Sequence, residues 1–517
     1  MKKILVILVI LLLVSCQKEQ QGQTSFSIQQ TANNEKKVIV IMIDSMTEKI
    51  LEKGFREGRL PALSYLAEQG TIYHDVVAPF PSMSVTIESS LLTGDSPHEH
   101  QIPGLTWYDA HSDTLISYGD SIPSVWKLGR KTTLMNALIN LNNEHLNKQS
   151  ETIYESIKRN ELSSGSVNML VYRGNKEHKL VVPTFVKTLF HLDSSEYQTK
   201  GPDVLTFGKA IQPKTNSSLP DSALENLGLN DHYSSEVIAH LIKENQQPHF
   251  LMAYFPDFDK LAHHHGPYAI DYFASVDQHI QRILNAYDSW EKALEDTTFV
   301  ILGDHGQSAL VDDRERAGID VETIVNPYTI APLYDSPSLG DVVVANNHRM
   351  AYIYAINERL TFYELGEMFL SDERIDHVAW LDGDDLVIQQ QGKEGYLRVS
   401  NGGPWIDKYD QKWSFEGNLD IAHITIDDNG VIKYEDYPDI FHQLESALNS
   451  HTESLIVTAK PGYTLQSEGA PVHAGGGEHG GLHKDDTITS MIISNRNKLP
   501  EKRRMSDLYE YFHTLFD

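Results

Sequence analysis

Lys36–Met46 reads KKVIVIMIDSM, an apolar run from Val38 to Ile43 halted by the acid Asp44. A strand with one wet face alternates apolar and polar residues. An unbroken short run of β-branched residues suits a strand covered on both faces, as in parallel sheets. The same grammar returns in HFLMAYFPDFD, where Phe250 to Phe255 lead to Asp257 and Asp259, and in TTFVILGDHG, where Phe299 to Leu302 lead to Asp304 and His305. Open α/β sheets bind ligands beyond the carboxyl ends of their strands, so each run delivers acids to one rim.

Helical patterns lie between the runs. DHYSSEVIAHLIKEN opens on Asp231 as a cap and sets Val237, Ile238, Leu241 and Ile242 on one face; SVDQHIQRILNAY does the same with Val276, Ile280, Ile283 and Leu284. Alternating strand and helix predict an α/β fold around a doubly wound, mostly parallel sheet. From residue 336 to 454 the pieces become shorter and alternating: HRMAYIYAI, DDLVIQQQ, GYLRVS and AHITIDDNGVIKY, with turns at DGDD and DDNG. Helices are expected around TFYELGEMFL and DIFHQLESALNS. This reads as a smaller α+β subdomain inserted at 336–454 into a main domain made of 37–335 and 455–517.

The chain opens MKKILVILVILLLVSC, two lysines before an apolar run too short for a permanent membrane span. Residues 1–15 read as a secretory signal, and LVSC resembles the bacterial lipobox, which implies lipidation of Cys16 and attachment to the membrane on its extracytoplasmic side. Residues 16–36, rich in Gln, Ser, Thr and Asn, read as a flexible tether. Cys16 is the only cysteine, so no intrachain disulfide forms and the core must hold the fold. The net charge of −29, without a basic stripe, excludes a nucleic acid duplex as a docking partner. A small anion remains a suitable substrate where bound cations concentrate positive potential.

Catalytic metal chemistry gathers hard or borderline ligands from separate elements around an open coordination position. The chain offers Asp44; Asp259 with His263 at i and i+4; Asp304 with His305; and the glycine-rich HAGGGEHGGLHKDD, which holds His473, His479 and His483. Singly each is weak, since an Asp after a strand is more often a turn former or a cap. A further segment, PFPSMSVTIESSLLTG, sets small hydroxyls at the start of a helix, where free N–H groups favour a phosphoryl oxyanion. Spacing does not choose among Ser82, Ser84 and Thr86, and each would also serve as a simple cap.

The order of these motifs resembles the alkaline phosphatase superfamily, most closely its type I phosphodiesterase/nucleotide pyrophosphatase branch, from about Lys37 to Ile493. IMIDSM resembles the first metal-binding strand end, PSMSVTIESSLLTGDSPHEHQIPG the nucleophile turn and its helix, PDFDKLAHHHGP the D-x-x-x-H-x-x-G-P motif, LGDHG the S-D-H-G box and EHGG the last histidine. The resemblance implies Ser84 as nucleophile. It implies one metal site of Asp259, His263 and His479, and another of Asp44, Asp304 and His305 that the Ser84 oxygen faces. The cofactors implied are two divalent ions, zinc by donor type with manganese as the alternative, and the substrate a small phosphate ester or anhydride cleaved through a covalent phosphoseryl intermediate.

One departure stands out: many nucleotide pyrophosphatases place Asn three residues after the nucleophile, where this chain has Ile87. Thr86, backbone N–H groups, or Asn346, Asn347 or Arg349 of NNHRM would have to take over that phosphate contact. A phosphomonoesterase or a lipid-head-group phosphotransferase is the enzymatic alternative. A sulfatase would need C/S-x-P-x-R, absent from SVTIE, and a metal-capturing lipoprotein would have no use for the Ser84 turn.

Overall fold

Strand β1 (Lys37–Ile43) sends Ile39, Ile41 and Ile43 into one apolar cluster and Val38, Val40 and Met42 into another, so both its faces are buried. Each fully buried side chain of this size contributes about 1.5–3 kcal/mol before chain entropy is subtracted, which is why the run tolerates no polar residue. The computed structural model describes residues 36–215 and 218–516, with the backbone of Gln23 and Thr24. The expected signal peptide, Cys16 and most of the tether lie outside the described residues. Within the expected tether, Gln23–Thr24 pairs in parallel with Gln212–Pro213.

The remaining strands of the main sheet are β2 (Thr71–Val77), β3 (Ser164–Val167), β4 (Val204–Thr206), β5 (Phe250–Phe255), β6 (Thr297–Gly303) and β7 (Ile488–Ile493). Their spatial order is β2-β7-β6-β1-β5-β3-β4. β6, β1, β5, β3 and β4 run parallel, while β7 is antiparallel to both its neighbours. Helices α2 (Asp231–Lys243) and α4 (Ile270–Leu284) cover one face through the predicted apolar stripes. Helices α1 (Ser84–Thr93) and α5 (Asp507–Thr514) cover the other. The doubly wound α/β sheet expected from the sequence is present.

A second sheet, antiparallel throughout, follows the order Val342–Asn347, Met350–Ala355, Leu455–Ala459, Ile375–Asp382, Asp385–Gln390, Leu397–Ile406, Lys412–Gly417. The predicted helices appear at Phe362–Leu370 and Ile440–Leu448. One expectation fails here. Leu455–Ala459, assigned to the main domain, is a central strand of the second sheet, and the chain re-enters the main sheet only at β7. Its run LIVTA is buried at every position, and burial on both faces reads the same in either sheet. Among the described residues no helix is long and apolar enough to cross a membrane.

Candidate metal centre and nucleophile

Register brings the acids together. Ile43 pairs with Phe255 on one side and Gly303 on the other, so Asp44 and Asp304 leave neighbouring strands at the same height. Asp44 N–H continues the ladder to Phe255 O at 3.0 Å. Gly303 is required at this rim: a Cβ there would lie 2.0 Å from Thr489 Oγ1 and 2.4 Å from Met46 O. Beyond β5 the chain turns into α3 (Asp257–His265), whose i, i+4 spacing stacks Asp259 and His263 on one face. Asp257 and Asp231 accept each other's backbone N–H at 3.0 Å, tying the first turns of α3 and α2 together.

The three histidines implied as ligands share one hydrogen-bonding pattern. His305 Nδ1 faces Gly306 O at 2.8 Å, His263 Nδ1 faces Gly477 O at 2.7 Å and His479 Nδ1 faces Ser82 O at 2.8 Å. A carbonyl only accepts, so the proton sits on Nδ1 and each neutral ring offers an Nε2 lone pair. Those Nε2 atoms point at carboxylates: His305 lies 3.2 Å from Asp44 and 3.6 Å from Asp304, His263 lies 3.2 Å from Asp259, and His479 lies 3.9 Å from Asp259. A lone pair facing a carboxylate is repulsive unless a cation lies between them.

Asp44 Oδ1 and His305 Nε2 make the point sharply, being buried and without a hydrogen-bond partner. Burial, together with the charges of Asp304 and Asp259, pushes the Asp44 carboxyl well above its ordinary range. In the metal-free protein His305 and His263 supply the missing charge as protons, while burial and the neighbouring His305 hold His479 well below its ordinary pKa. Burial opposes protonation, but Asp304 and Asp44 push His305 up to about 10, and Asp259 pushes His263 up to about 9. Donor atoms of Asp44, Asp304 and His305 lie within 4.8 Å of one another, as do those of Asp259, His305 and His479. His263 holds the second oxygen of Asp259. Carboxylate and imidazole donors at this spacing fit zinc or a similar divalent ion.

Ser84 is the first residue of α1, and its Oγ donates to Asp304 Oδ2 at 3.2 Å. Of the two other hydroxyls left open by spacing, one is committed elsewhere and the other is buried without a partner. Ser82 Oγ accepts Gly480 N–H at 2.9 Å, and Thr86 is fully buried with no partner for its hydroxyl. A cavity of about 390 Å³ reaches Ser84, Asp44, Asp259, His263 and His479.

Several residues escaped the sequence reading. Ser45, at φ 63°, donates its N–H to Asp304 at 3.0 Å and its Oγ to Asp259 at 2.8 Å, joining the two ligand groups. Gln307 Nε2 donates to the same Asp259 oxygen at 2.8 Å. Tyr254 sits inside an apolar run, yet its hydroxyl donates to Asp44 and lies 3.4 Å from Ser84 Oγ. Only the adjacency of Ser45 to Asp44 and of Gln307 to His305 offered a signal.

Asn346, Asn347 and Arg349 do not take over the phosphate contact. Asn346 binds Leu465 O, Asn347 binds the backbone of Leu105 and Thr106, and Arg349 is fully buried in an ion pair with Asp486 at 2.8 Å. The residue between them, His348, lines the cavity instead. His483 caps the short turn at Lys484, His265 stacks on Tyr272, and His264 is exposed at the cavity mouth.

The model of the family described as type I phosphodiesterase / nucleotide pyrophosphatase matches residues 38–482. Among solved structures, murine ectonucleotide pyrophosphatase/phosphodiesterase 5 is similar at 13% identity and a TM-score of 0.51, covering 93% of this chain and 95% of that one. The human protein of the same name is 14% identical with a TM-score of 0.51. Phosphonoacetate hydrolase from Sinorhizobium meliloti 1021, solved with phosphonoformate, is 14% identical with a TM-score of 0.52, covering 93% of this chain and 96% of that one. No curated protein matches in sequence. The structural likeness speaks for the fold, and the family match spans the second sheet and all of the main sheet except β7. On that match the chain belongs to the type I phosphodiesterase/nucleotide pyrophosphatase family of phosphoester hydrolases.

Proposed function

We propose that this protein is a two-metal phosphohydrolase that cleaves phosphodiester or pyrophosphate bonds through a covalent intermediate on Ser84. The observation that carries the reading is the set of imidazoles whose Nδ1 protons go to backbone carbonyls while their Nε2 atoms converge on Asp44, Asp259 and Asp304 beside the Ser84 hydroxyl. Divalent ions, zinc by donor type with manganese as the alternative, would be held by Asp44, Asp304 and His305 and by Asp259, His263 and His479, supplying charge compensation and Lewis-acid polarisation of phosphoryl oxygens.

The chain's own groups supply orientation. Ser84 attacks phosphorus in line, forming the Oγ–P bond as the leaving oxygen departs; water then cleaves that bond and restores the serine. Asp304 holds Oγ at 3.2 Å. Thr86 and Ile87 N–H groups are both spent on Met83 O, which leaves those of Ser84 and Val85 as the terminal donors of α1 for a phosphoryl oxygen. Burial and the charges of Asp44 and Asp304 push the Tyr254 hydroxyl well above its ordinary pKa, so it stays a neutral donor.

Two neighbours support a small phosphorus-bearing anion as substrate. A murine ectonucleotide pyrophosphatase/phosphodiesterase 5 variant described as inactive was solved with AMP, and the phosphonoacetate hydrolase with phosphonoformate. The protein acts outside the cytoplasm, held to the membrane through lipid on Cys16; replacing Cys16 should release it from membranes. The activity is tested on metal-analysed protein with bis(p-nitrophenyl) phosphate, p-nitrophenyl phosphate, a nucleotide and a sulfate ester side by side. Diester or nucleotide turnover above the others is expected. Turnover of the sulfate ester alone would overturn the reading.

A further inference from the structure

Beside the dinuclear group lies a second constellation, built by His348, His473 and Glu478, that the proposed chemistry does not use. Glu478 is fully buried and turns both oxygens onto imidazoles: Oε1 to His348 Nδ1 at 2.6 Å and Oε2 to His473 Nδ1 at 3.2 Å. Donor atoms of these residues and of His263 lie within 4.8 Å of one another. His263 is only the border of the group, since its Nε2 faces Asp259 and its Nδ1 proton goes to Gly477 O.

The group is held in place from outside. His348 stands at φ 62°, the left-handed region that a β-carbon disfavours, in the turn between strands Val342–Asn347 and Met350–Ala355 of the second sheet. Asn346 Oδ1 accepts its N–H at 2.9 Å, and Thr464 donates to its carbonyl at 3.0 Å. Its outer ring nitrogen, Nε2, faces Asp120 Oδ1 at 2.9 Å. A carboxylate on the far nitrogen is the usual way of orienting a ligating histidine and raising its basicity. The glycine-rich segment that delivers His473 and Glu478 packs against α3 so closely that a Cβ on Gly476 would lie 1.8 Å from His263 O.

We propose that His348, His473 and Glu478 form a third metal site, for a borderline divalent cation such as zinc, oriented by Asp120. Two histidines and a glutamate are a known catalytic zinc donor set that leaves one coordination position open. Both imidazoles line the cavity that reaches Ser84 while Glu478 lies buried behind them, so the open position faces that cavity. Tetrahedral zinc with bonds of about 2.0–2.1 Å separates its donors by about 3.3 Å. His473 Nδ1 already meets this with one Glu478 oxygen at 3.2 Å, and the 2.6 Å contact of His348 Nδ1 with the other oxygen widens as the carboxylate turns a single oxygen to both rings.

A proton shared between His348 and Glu478 would hold the same atoms without a metal, and stoichiometry separates the two accounts. The full chain is stripped with chelator, reloaded with zinc, and its metal counted per folded protein by mass spectrometry. Wild type should hold about three equivalents, and His473→Ala and His348→Gln about two, with far-UV circular dichroism unchanged. Asp304→Ala should lose metal from the dinuclear centre and keep this one. About two equivalents in wild type, lowered by Asp304→Ala, would overturn the third site and leave the proposed function standing. A third equivalent that survives in His473→Ala would also overturn it. Because His473 is part-exposed, that variant decides the matter if His348→Gln does not fold.

Discussion

Ser84 and Asp304, 220 residues apart in the chain, meet at 3.2 Å, with the serine hydroxyl donating to the carboxylate. Asp304 is where it is because β6 runs in register with β1. Ser84 is where it is because α1 begins over the same rim. Asp304 also accepts the N–H of Ser45, whose hydroxyl reaches Asp259. The proposed nucleophile and both proposed ligand groups are therefore parts of one hydrogen-bonded unit.

Ser45→Ala removes the hydroxyl that holds Asp259 and leaves the backbone donor to Asp304 intact. Losing such a supporting partner typically weakens metal affinity by about 10–100-fold. A competition titration with a zinc chelator should show that weakening, with the melting temperature of the metal-free protein little changed. Gln307, which still holds Asp259 at 2.8 Å, keeps the effect from being larger.

Tyr254→Phe keeps the ring packed beneath the rim and deletes the donor to Asp44 and its approach to Ser84. We expect kcat to fall by about 10–100-fold with KM nearly constant. Steady-state kinetics on a diester substrate checks this. A change confined to KM would place Tyr254 in substrate binding instead.

Arg349→Met tests the correction to the phosphate contact. The Arg349–Asp486 pair is fully buried, and removing one partner of such a pair costs about 3–5 kcal/mol by stranding the other charge. Denaturant unfolding should register that loss. For molecules that remain folded, KM should stay near the wild-type value, because the guanidinium faces Asp486 and Ser308.

Stability should depend on pH through His100. Its Nδ1 accepts Ile102 N–H at 3.0 Å, so its proton sits on Nε2 facing Ser90 at 3.0 Å. Burial holds the ring's pKa down to about 3, against about 6.5 in the unfolded chain. Between those values the unfolded chain binds a proton that the fold refuses. The contribution is therefore complete above about pH 6.5 and falls by about 1.4 kcal/mol per unit as the pH drops toward 3. His100→Gln should be less stable at pH 7, by roughly 1–3 kcal/mol, but lose about 2 kcal/mol less than wild type between pH 6.5 and 5. Urea unfolding at both pH values checks the difference in slope.

Much of this architecture is legible in the chain because burial on both faces gives β1, β5 and β6 unbroken apolar stretches, and the acids that halt those runs mark the rim. The stripes of α2 and α4 are equally plain. Strand β3 reads SGSV and carries no apolar run, so only its pairing with β5 and β4 reveals it. Leu455–Ala459 has the right grammar for either sheet, and local sequence cannot say which neighbours will pair with it. Tyr254 hides for a different reason: a tyrosine in an apolar run looks like core until its hydroxyl is found on Asp44. His348 is invisible because its role depends on Asp120 and Glu478, which come from distant segments.

Ser84 is the proposed nucleophile, and Ser84→Ala isolates that role. Turnover of bis(p-nitrophenyl) phosphate by the variant is measured with its metal content counted in the same preparation. The prediction is unchanged metal content with turnover lowered by at least about a thousandfold. Wild-type turnover in Ser84→Ala with metal in place would contradict it.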